Sequence, residues 1–283
     1  MQKTLSTQSF TETAPPLVAP AAALERPQAR RRVLVRRFAG VATLLLVLGL
    51  WQLVTAQGWV RPFLVPAPAA VAAKFQEVLL DGRLWLHTHT TLTEVLLGLG
   101  IGVSIGVTVG YCIAKSRLLE DLLSPIIVAF QSTPIVAYAP LLVIWFGSGP
   151  QSKIITCVLI VFFPMLMNTV VGMRGVPRDL HDLMRVSRAT RWQTLTRLEI
   201  PAALPVLLTG LKTSATLAVI GAVVGEFIVA NAGLGFLINL ARSQFDTPLV
   251  FVAVITLALM AGTLYAAVSL LERRLLAWQK RGR

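Results

Sequence analysis

The sequence predicts an all-α, polytopic membrane protein with six transmembrane helices and with both termini in the cytoplasm. Of its 283 residues, 55% are hydrophobic and only 14% are charged, whereas about 25% of the residues in a soluble domain are charged. Six long stretches with almost no charge follow one another along the chain, and a helix needs roughly 20 such residues to cross a bilayer. The stretches lack the alternation of barrel strands, so helices, which satisfy their own backbone groups in lipid, are the predicted form.

The six predicted spans lie at about residues 38–58, 91–114, 119–146, 152–173, 206–229 and 247–271. Residues 1–32 contain several prolines and show no apolar periodicity, which predicts a disordered cytoplasmic tail. Residues 33–283 are predicted to form one transmembrane domain. A signal peptide is the alternative for the first apolar stretch, but the charged region before it, which extends to Arg37, is longer than signal peptides have.

The chain is strongly basic, with a formal net charge of +13 and a pI near 11.0. If the N-terminus is cytoplasmic, all but five of the 26 Lys and Arg residues fall in cytoplasmic segments, as the positive-inside rule requires. The five exceptions are Arg61, Lys74, Arg83, Lys153 and Arg242. Membrane topology therefore explains the charge, so no nucleic-acid partner is predicted. The expected location is the inner membrane, crossed several times.

No metal or cofactor site is predicted. Cys112 and Cys157 both lie in uncharged stretches, where small apolar side chains are expected, and two cysteines cannot form a zinc cluster by themselves. His87 and His89 are two residues apart, so they point to different helix faces, and no carboxylate or cysteine cluster accompanies them.

Four glycines in the second span recur every four residues and therefore share one helix face. They are Gly98, Gly102, Gly106 and Gly110. Such a face lets a neighbouring helix approach closely in a membrane. A ligand role is the alternative, but the segment fits no G-x-G-x-x-G pattern and follows no strand. Helix packing is the favoured interpretation.

The third stretch is too long for one straight span and contains three prolines. Proline removes a backbone donor and kinks a helix, which leaves carbonyl groups that need protein or water partners. This broken stretch either lines a solute pathway or is a kink satisfied by neighbouring helices, and the sequence does not decide between the two. The candidate pathway residues here are Gln131, Ser132, Thr133 and Pro134.

Glu226 is an acidic residue inside an apolar stretch. An intramembrane carboxylate is by default a functional candidate that faces the bundle interior or a water-filled cavity. Asn231, Gly233 and Gly235 follow closely, so Glu226 lies near the outer end of its span. It is therefore either a pathway residue or an interfacial residue that is hydrogen-bonded across the subunit.

The cytoplasmic loop 174–205 contains two short helical patterns. In the first, over residues 178–187, apolar side chains recur at helical spacing. The second, over residues 190–199, begins with a Thr-Arg-Trp-Gln capping box at 190–193 and is expected to end at Pro201. Five arginines surround the apolar faces: Arg178, Arg185, Arg188, Arg191 and Arg197. This surface is suited to bind a cytoplasmic protein.

The loop resembles the "EAA" loop of inner-membrane permeases from binding-protein-dependent ABC importers. That pattern is Glu-Ala-Ala, three residues, Gly, nine residues and Ile-x-Leu-Pro. Asp182 stands at the Glu position, and Leu198, Ile200 and Pro201 stand at the last three specified positions. The similarity extends from about Thr90 to about Leu271.

Three positions depart from the pattern. Leu183 and Met184 replace the two alanines, and Arg188 replaces the glycine, so the packing of the first short helix is expected to differ in detail. Within the family, the chain is most similar to the nitrate, sulfonate and taurine branch. Its segments 188–193 and 218–227 resemble permeases for thiamine-precursor pyrimidines or riboflavin.

The resemblance implies a MetI-like permease fold for residues 33–283 and a transport subunit that is not an enzyme. The implied partners are two ABC ATPase subunits inside, a periplasmic or lipid-anchored solute-binding protein outside, and a second permease copy, all around a lipid bilayer. The chain has no G-x-x-x-x-G-K-[ST] phosphate loop, so ATP hydrolysis belongs to a separate subunit. The pathway would run between the two copies, lined by the third and fifth spans.

The resemblance also implies which residues couple the permease to the ATPases. They are Asp182, Leu183, Met184, Arg188, Ala189, Thr190, Arg191, Trp192, Leu198, Ile200 and Pro201. ATP-driven closure of the ATPases would push the two loop helices as rigid bodies and switch the dimer between inward-facing and outward-facing packings.

Two alternatives belong to other classes of protein. A proton-coupled secondary transporter would use Glu226 as its coupling group, but the sequence shows no internal repeat and contains a docking loop that such a carrier does not need. A membrane scaffold would use the loop only to recruit a partner.

Overall fold

The computed structural model describes residues 26–280, which contain helices and no strand. The predicted all-α class is confirmed. The α-helices are α1 (Arg26–Ala56), α2 (Pro68–Leu80), α3 (Arg83–Lys115), α4 (Arg117–Ser132), α5 (Ala139–Phe146), α6 (Pro150–Arg174), α7 (Arg178–Val186), α8 (Arg191–Thr194), α9 (Ile200–Ile228), α10 (Leu234–Ser243) and α11 (Thr247–Leu275). Short 3₁₀ turns cover Ile135–Ala137 and Ala277–Lys280.

The chain divides after Gln57 into two compact units. The described part of the first unit contains α1, which begins within the predicted tail 1–32; residues 1–25 of that tail lie outside the described residues. The apolar part of α1, Ala42–Ala56, is shorter than a full span. The second unit begins at Gly58 and contains α2 to α11.

Within residues 26–280, four helices are long and apolar enough to cross a membrane. They are α3, α6, the helix Arg191–Ile228 and α11. A fifth candidate is the pair of helices Arg117–Ser132 and Ile135–Phe146, which is bent by 80°. The multi-pass helical fold is thus confirmed, whereas the sixth span and the position of the termini stay predictions.

The break in the third predicted span falls at the polar residues before Pro134. The α4 helix passes through Pro125 without interruption and ends at Ser132. There the hydroxyl groups of Ser132 and Thr133 both donate to the carbonyl of Ala129, at 2.9 and 3.1 Å. These side-chain bonds occupy a carbonyl group that the broken helix leaves free.

The centre of the second unit is formed by α3, α6 and α9. The four glycines of α3 lie against α6: a Cβ atom at Gly102 would lie 2.9 Å from Val161 Cβ, and one at Gly110 would lie 2.8 Å from the carbonyl oxygen of Leu166. Gly100, on another face of α3, has no atom within 4 Å of such a Cβ. The backbones of α3 and α6 therefore approach each other along the glycine face.

Pro201 does not end the second loop helix, contrary to the sequence-based prediction. A single helix runs from Arg191 to Ile228, and its segment Leu195–Glu199 is a π-helix. Proline lacks an amide donor, and a local π-turn is one way in which a helix accommodates this loss. As a result, the second loop helix is continuous with the span that follows it.

The short helix α2 is attached to the beginning of α11. Lys74 Nζ lies 3.2 Å from Asp246 Oδ2 and 2.9 Å from Glu77 Oε2. The hydrogen bond that Lys74 donates to the Glu77 carboxylate raises the pKa of Lys74; partial burial opposes this rise and Asp246 adds to it. Val71 and Val78 on the same helix are buried.

Candidate coupling site and the buried polar clusters

The first loop helix, α7, covers Arg178–Val186 and none of its residues is buried. Its C-terminus has the Schellman arrangement, in which Ala189 N donates to Met184 O at 2.9 Å and Arg188 N donates to Arg185 O at 3.0 Å. Arg188 occupies the left-handed position of this motif, with φ of 51°. Glycine is usual there because it has no Cβ atom to strain the backbone, so this geometry gives a physical reason for the glycine of the EAA pattern.

The second loop helix, α8, begins with a complete capping box. Thr190 Oγ1 accepts from Gln193 N at 3.2 Å, and Gln193 Oε1 accepts from Thr190 N at 2.8 Å. The capping box fixes the direction in which the helix leaves the turn after α7. Trp192 follows directly and its side chain is 71% exposed.

The two loop helices expose an apolar surface edged by positive charge. Its large apolar residues are Leu180, Leu183, Val186 and Trp192. The arginines at 178, 185, 188, 191 and 197 are all exposed. Exposed apolar patches occur at protein-binding and membrane-binding sites, and aromatic and arginine residues are the types that dominate the energy of protein interfaces.

The remaining candidate coupling residues occupy two environments. Asp182 is exposed and forms a pair with Arg185, whose Nη1 lies 3.3 Å from Asp182 Oδ1. Ile200 is 39% exposed, while Leu198 and Pro201 are half-buried at the junction with α9. Asp182 is therefore available to a partner, and the residues around Pro201 join the loop to the bundle.

The structure also places an ionic cluster around a buried carboxylate under the loop, which the sequence did not predict. Glu199 is only 3% exposed. Its Oε1 accepts from Lys115 Nζ at 2.5 Å and lies 3.2 Å from His181 Nε2. Lys115 and Glu199 are 84 residues apart, so no local spacing in the sequence indicates the pair.

At the opposite end of the bundle, Glu226 is 1% exposed and lies inside the subunit. Its Oε1 accepts from Thr91 Oγ1 at 2.6 Å, and its Oε2 accepts from the backbone amide of Gly235. The two preceding amides are also bonded to α3: Gly233 N donates to His87 Nδ1 at 3.1 Å and Leu234 N donates to Thr91 Oγ1 at 2.8 Å. Three successive amides at the start of α10 are thus held by side chains.

Two further charged residues join this outer cluster, and the sequence analysis assigned neither of them to a site. Glu94 is 3% exposed, its carboxyl group faces that of Glu226, and its Oε2 has no hydrogen-bond partner among the described residues. Lys153 is also 3% exposed and donates to the carbonyl groups of Ser148 and Gly149. Over residues 26–280, no three His, Cys, Asp or Glu side chains converge in the way that metal ligands do.

The other candidate pathway residues differ from Glu226 in their exposure to solvent. Gln131, Ser132 and Pro134 are exposed and Thr133 is half-buried. They lie at the bend between α4 and α5, on the surface of the second unit, whereas Glu226 lies in its interior. The structure therefore does not bring the two sets of candidates together in one chain.

The long apolar helices define a multi-pass membrane protein, and most of the two short helices in loop 174–205 is exposed. Comparison with known proteins identifies the class. Residues 102–277 match the family of binding-protein-dependent transport system inner membrane components, and the chain belongs to that family. It is an ABC transporter permease located in the inner membrane.

Curated relatives match most of the chain. The riboflavin transport system permease protein RibX of Chloroflexus aurantiacus is 49% identical over 84% of this chain and 88% of its own length. The formylaminopyrimidine transport permease protein ThiX of Halalkalibacterium halodurans is 34% identical over 84% and 94%. The taurine transport system permease protein TauC of Escherichia coli is 32% identical over 84% and 88%. These names agree with the branch that the sequence resembles.

The fold is that of a solved transporter subunit. A chain of the MetNI methionine ABC transporter, in an inward-facing conformation, matches with a TM-score of 0.60 at 20% identity. The match covers 70% of this chain and 96% of the other. The predicted MetI-like fold is confirmed.

Proposed function

We propose that this permease is driven through loop 174–205 by two ATPase subunits on the cytoplasmic side of the membrane. The observation that carries the proposal is the continuity of the helix Arg191–Ile228, which begins with the exposed Trp192 and continues as a span. A partner that pushes the loop would move that span directly, because a helix transmits force along its axis without an intervening joint.

The surface chemistry of the loop favours a protein partner with apolar pockets and acidic groups. Leu183 and Trp192 are 60% and 71% exposed, and both would be buried by a partner that has matching clefts. The surrounding arginines would steer and orient an acidic rim. Asp182, like Asp179, adds a negative charge to this mainly basic surface and would pair with a basic group of the ATPase.

The solute pathway is proposed to lie between two copies of the permease, lined by the third and fifth spans. The bend at Gln131–Pro134 is exposed on a single chain, as expected for residues that face a second copy or a water-filled pathway. Glu226 lies inside one chain, so its contribution to the pathway would be indirect. A periplasmic or lipid-anchored binding protein would deliver the solute. The proposed topology has six spans, with both termini in the cytoplasm.

Riboflavin is the first solute to test, because the relative that is named for riboflavin transport is 49% identical to this chain. The pyrimidine and taurine relatives are 34% and 32% identical. We therefore propose a small organic solute, with riboflavin first and a thiamine-precursor pyrimidine second. Taurine, another sulfonate or the inorganic ion nitrate follow as alternatives.

Reconstitution in proteoliposomes tests the proposed function. The permease is incorporated with and without its ATPase, and uptake of each solute is measured with the cognate binding protein and ATP. Uptake that requires both the ATPase and ATP is expected. Uptake without the ATPase would instead support a proton-coupled carrier, and absence of uptake with every component present would support a scaffold.

A further inference from the structure

The cluster under the loop joins three helices through one carboxyl oxygen. Lys115 is the last residue of α3, His181 lies in the middle of α7, and Glu199 is the last residue of the π-turn that continues into α9. Lys115 Nζ and His181 Nε2 both contact Glu199 Oε1, at 2.5 and 3.2 Å. The Glu199 carboxylate is therefore a common point for two spans and the first loop helix.

The first loop helix has little other attachment to the bundle. None of its residues is buried, and a polar cavity of about 710 Å³, lined by residues that include Tyr111, Lys115 and Arg191, opens beside it. Among residues 26–280, the contact of His181 with Glu199 is the side-chain hydrogen bond that joins α7 to another helix. Apolar packing therefore does not determine where α7 lies relative to α3 and α9.

The burial of Glu199 strengthens the requirement for its contacts with Lys115 and His181. Its second oxygen, Oε2, has no hydrogen-bond partner in the described part of the chain. A buried carboxylate that loses its cation is strongly destabilised, and here one of its two oxygens already lacks a partner. The burial of Glu199 therefore favours a close contact with the Lys115 ammonium group. His181 Nδ1 lies 3.3 Å from Pro177 O, which orients the imidazole ring toward Glu199.

We propose that Glu199 is a positioning residue that transmits the movement of α7 to α3 and α9, and that it does so without contributing to ATPase docking. This inference rests on the proposed function, because it assumes that an ATPase moves the loop. Displacement of α7 would pull on the buried carboxylate, and the carboxylate would carry α3 through Lys115 and α9 through the backbone. Docking strength and mechanical coupling are then separate properties of the loop.

The test uses the full importer reconstituted with its ATPase and binding protein. Three quantities are measured for wild type and Glu199→Gln: the amount of ATPase that co-purifies, the rate of ATP hydrolysis, and the solute imported per ATP hydrolysed. The amide keeps the size of the side chain but removes its charge. Normal co-purification is expected, together with a fall of at least about fivefold in solute per ATP, which is the lower end of typical coupling between sites.

The pair of Lys212 and Glu272 provides a matched control. It also joins two helices, α9 and α11, through a partly buried Lys–Glu contact, but neither residue belongs to the loop. Glu272→Gln should leave the solute imported per ATP within about twofold of wild type, well below the usual range of coupling effects. An equal loss in both variants would indicate general damage to the fold and would overturn the proposal.

Lys115 supplies a second pair of variants if Glu199→Gln fails to fold, because its side chain is 40% exposed. Lys115→Met should uncouple transport from hydrolysis, and Lys115→Arg should restore coupling. Unchanged solute per ATP in Lys115→Met, or loss of ATPase binding in Glu199→Gln, would overturn the proposal. Failure of the wild type to bind the ATPase or to import solute would instead overturn the proposed function itself.

Discussion

Replacement of Gly98 by alanine should destabilise the bundle by a predictable amount. A Cβ atom at Gly98 would overlap Cys157 Cβ and would lie 2.8 Å from Cys157 Sγ and 3.3 Å from the carbonyl oxygen of Ile154. Neither neighbour is the end of a flexible side chain, so the helices must separate. Overpacking of a tight core costs about 1–3 kcal/mol, which for a unit of this size lowers the melting temperature by about 2–12 °C.

Gly100→Ala is the matched control on the same helix. No atom lies within 4 Å of a Cβ at Gly100, so the substitution adds a methyl group without a clash. Alanine favours a helix over glycine by about 1 kcal/mol, and the melting temperature of this variant should stay the same or rise. Both variants are purified in detergent and their unfolding is followed by circular dichroism or by a thiol-independent fluorescence assay.

A second-site change distinguishes this clash from a general effect of the methyl group. Cys157→Gly removes the Cβ atom that Gly98→Ala would meet. The double variant should therefore lose less free energy of unfolding than the two single variants lose together. The expected difference is about 1–2 kcal/mol, as for other residues in direct contact. Equal melting temperatures for Gly98→Ala and Gly100→Ala, or strict additivity in the cycle, would refute the reasoning.

Other substitutions test the loop and the outer cluster. Asp182→Lys should reduce co-purification of the ATPase while membrane insertion stays normal, because it reverses one of the two exposed negative charges of α7, Asp179 and Asp182; undiminished co-purification would remove Asp182 from the docking surface. Trp192→Ala should weaken ATPase binding by about 2 kcal/mol, roughly thirtyfold in Kd, as for an aromatic anchor; binding measured by surface plasmon resonance within twofold of wild type would contradict its role. Arg188→Gly should leave thermal stability unchanged or raise it by up to about 1 kcal/mol, since its φ is 51°, and a clear loss would show that the arginine side chain has a structural contact. Gly233→Ala should cost at least about 2 kcal/mol in thermal unfolding, because φ is 115° and the new methyl group would overlap the Glu226 carboxylate; wild-type stability would contradict the described arrangement.

The helical class and most of the candidate spans follow from the sequence because uncharged stretches of about 20 residues have few alternatives in a membrane. The same procedure gave no role to two charged residues near the ends of spans. Glu94 and Lys153 lie within the predicted spans 91–114 and 152–173, and both are 3% exposed within the outer polar cluster. The sequence alone does not distinguish a solvated charge near the end of a span from one that is buried against another helix.

The ends of the loop helices show the same limit on a local scale. The capping box at Thr190 depends on residues three apart, and it forms as the spacing indicates. The effect of Pro201 depends instead on whether the helix adopts a π-turn before it, which the local sequence does not specify. Contacts such as that of Lys115 with Glu199 depend on the packing of distant segments and have no signature in spacing.

The helix Arg191–Ile228 has 38 residues and would be about 57 Å long at 1.5 Å per residue. Its first turn carries Trp192 and its last turn carries Glu226, which accepts the amide of Gly235. One continuous helix therefore carries the exposed Trp192 at one end and the hydrogen bond between Glu226 and the Gly233–Gly235 turn at the other. Under the proposed function, a partner that tilts this helix at Trp192 would also displace the Gly233–Gly235 turn at its other end, because Gly235 is bonded to Glu226.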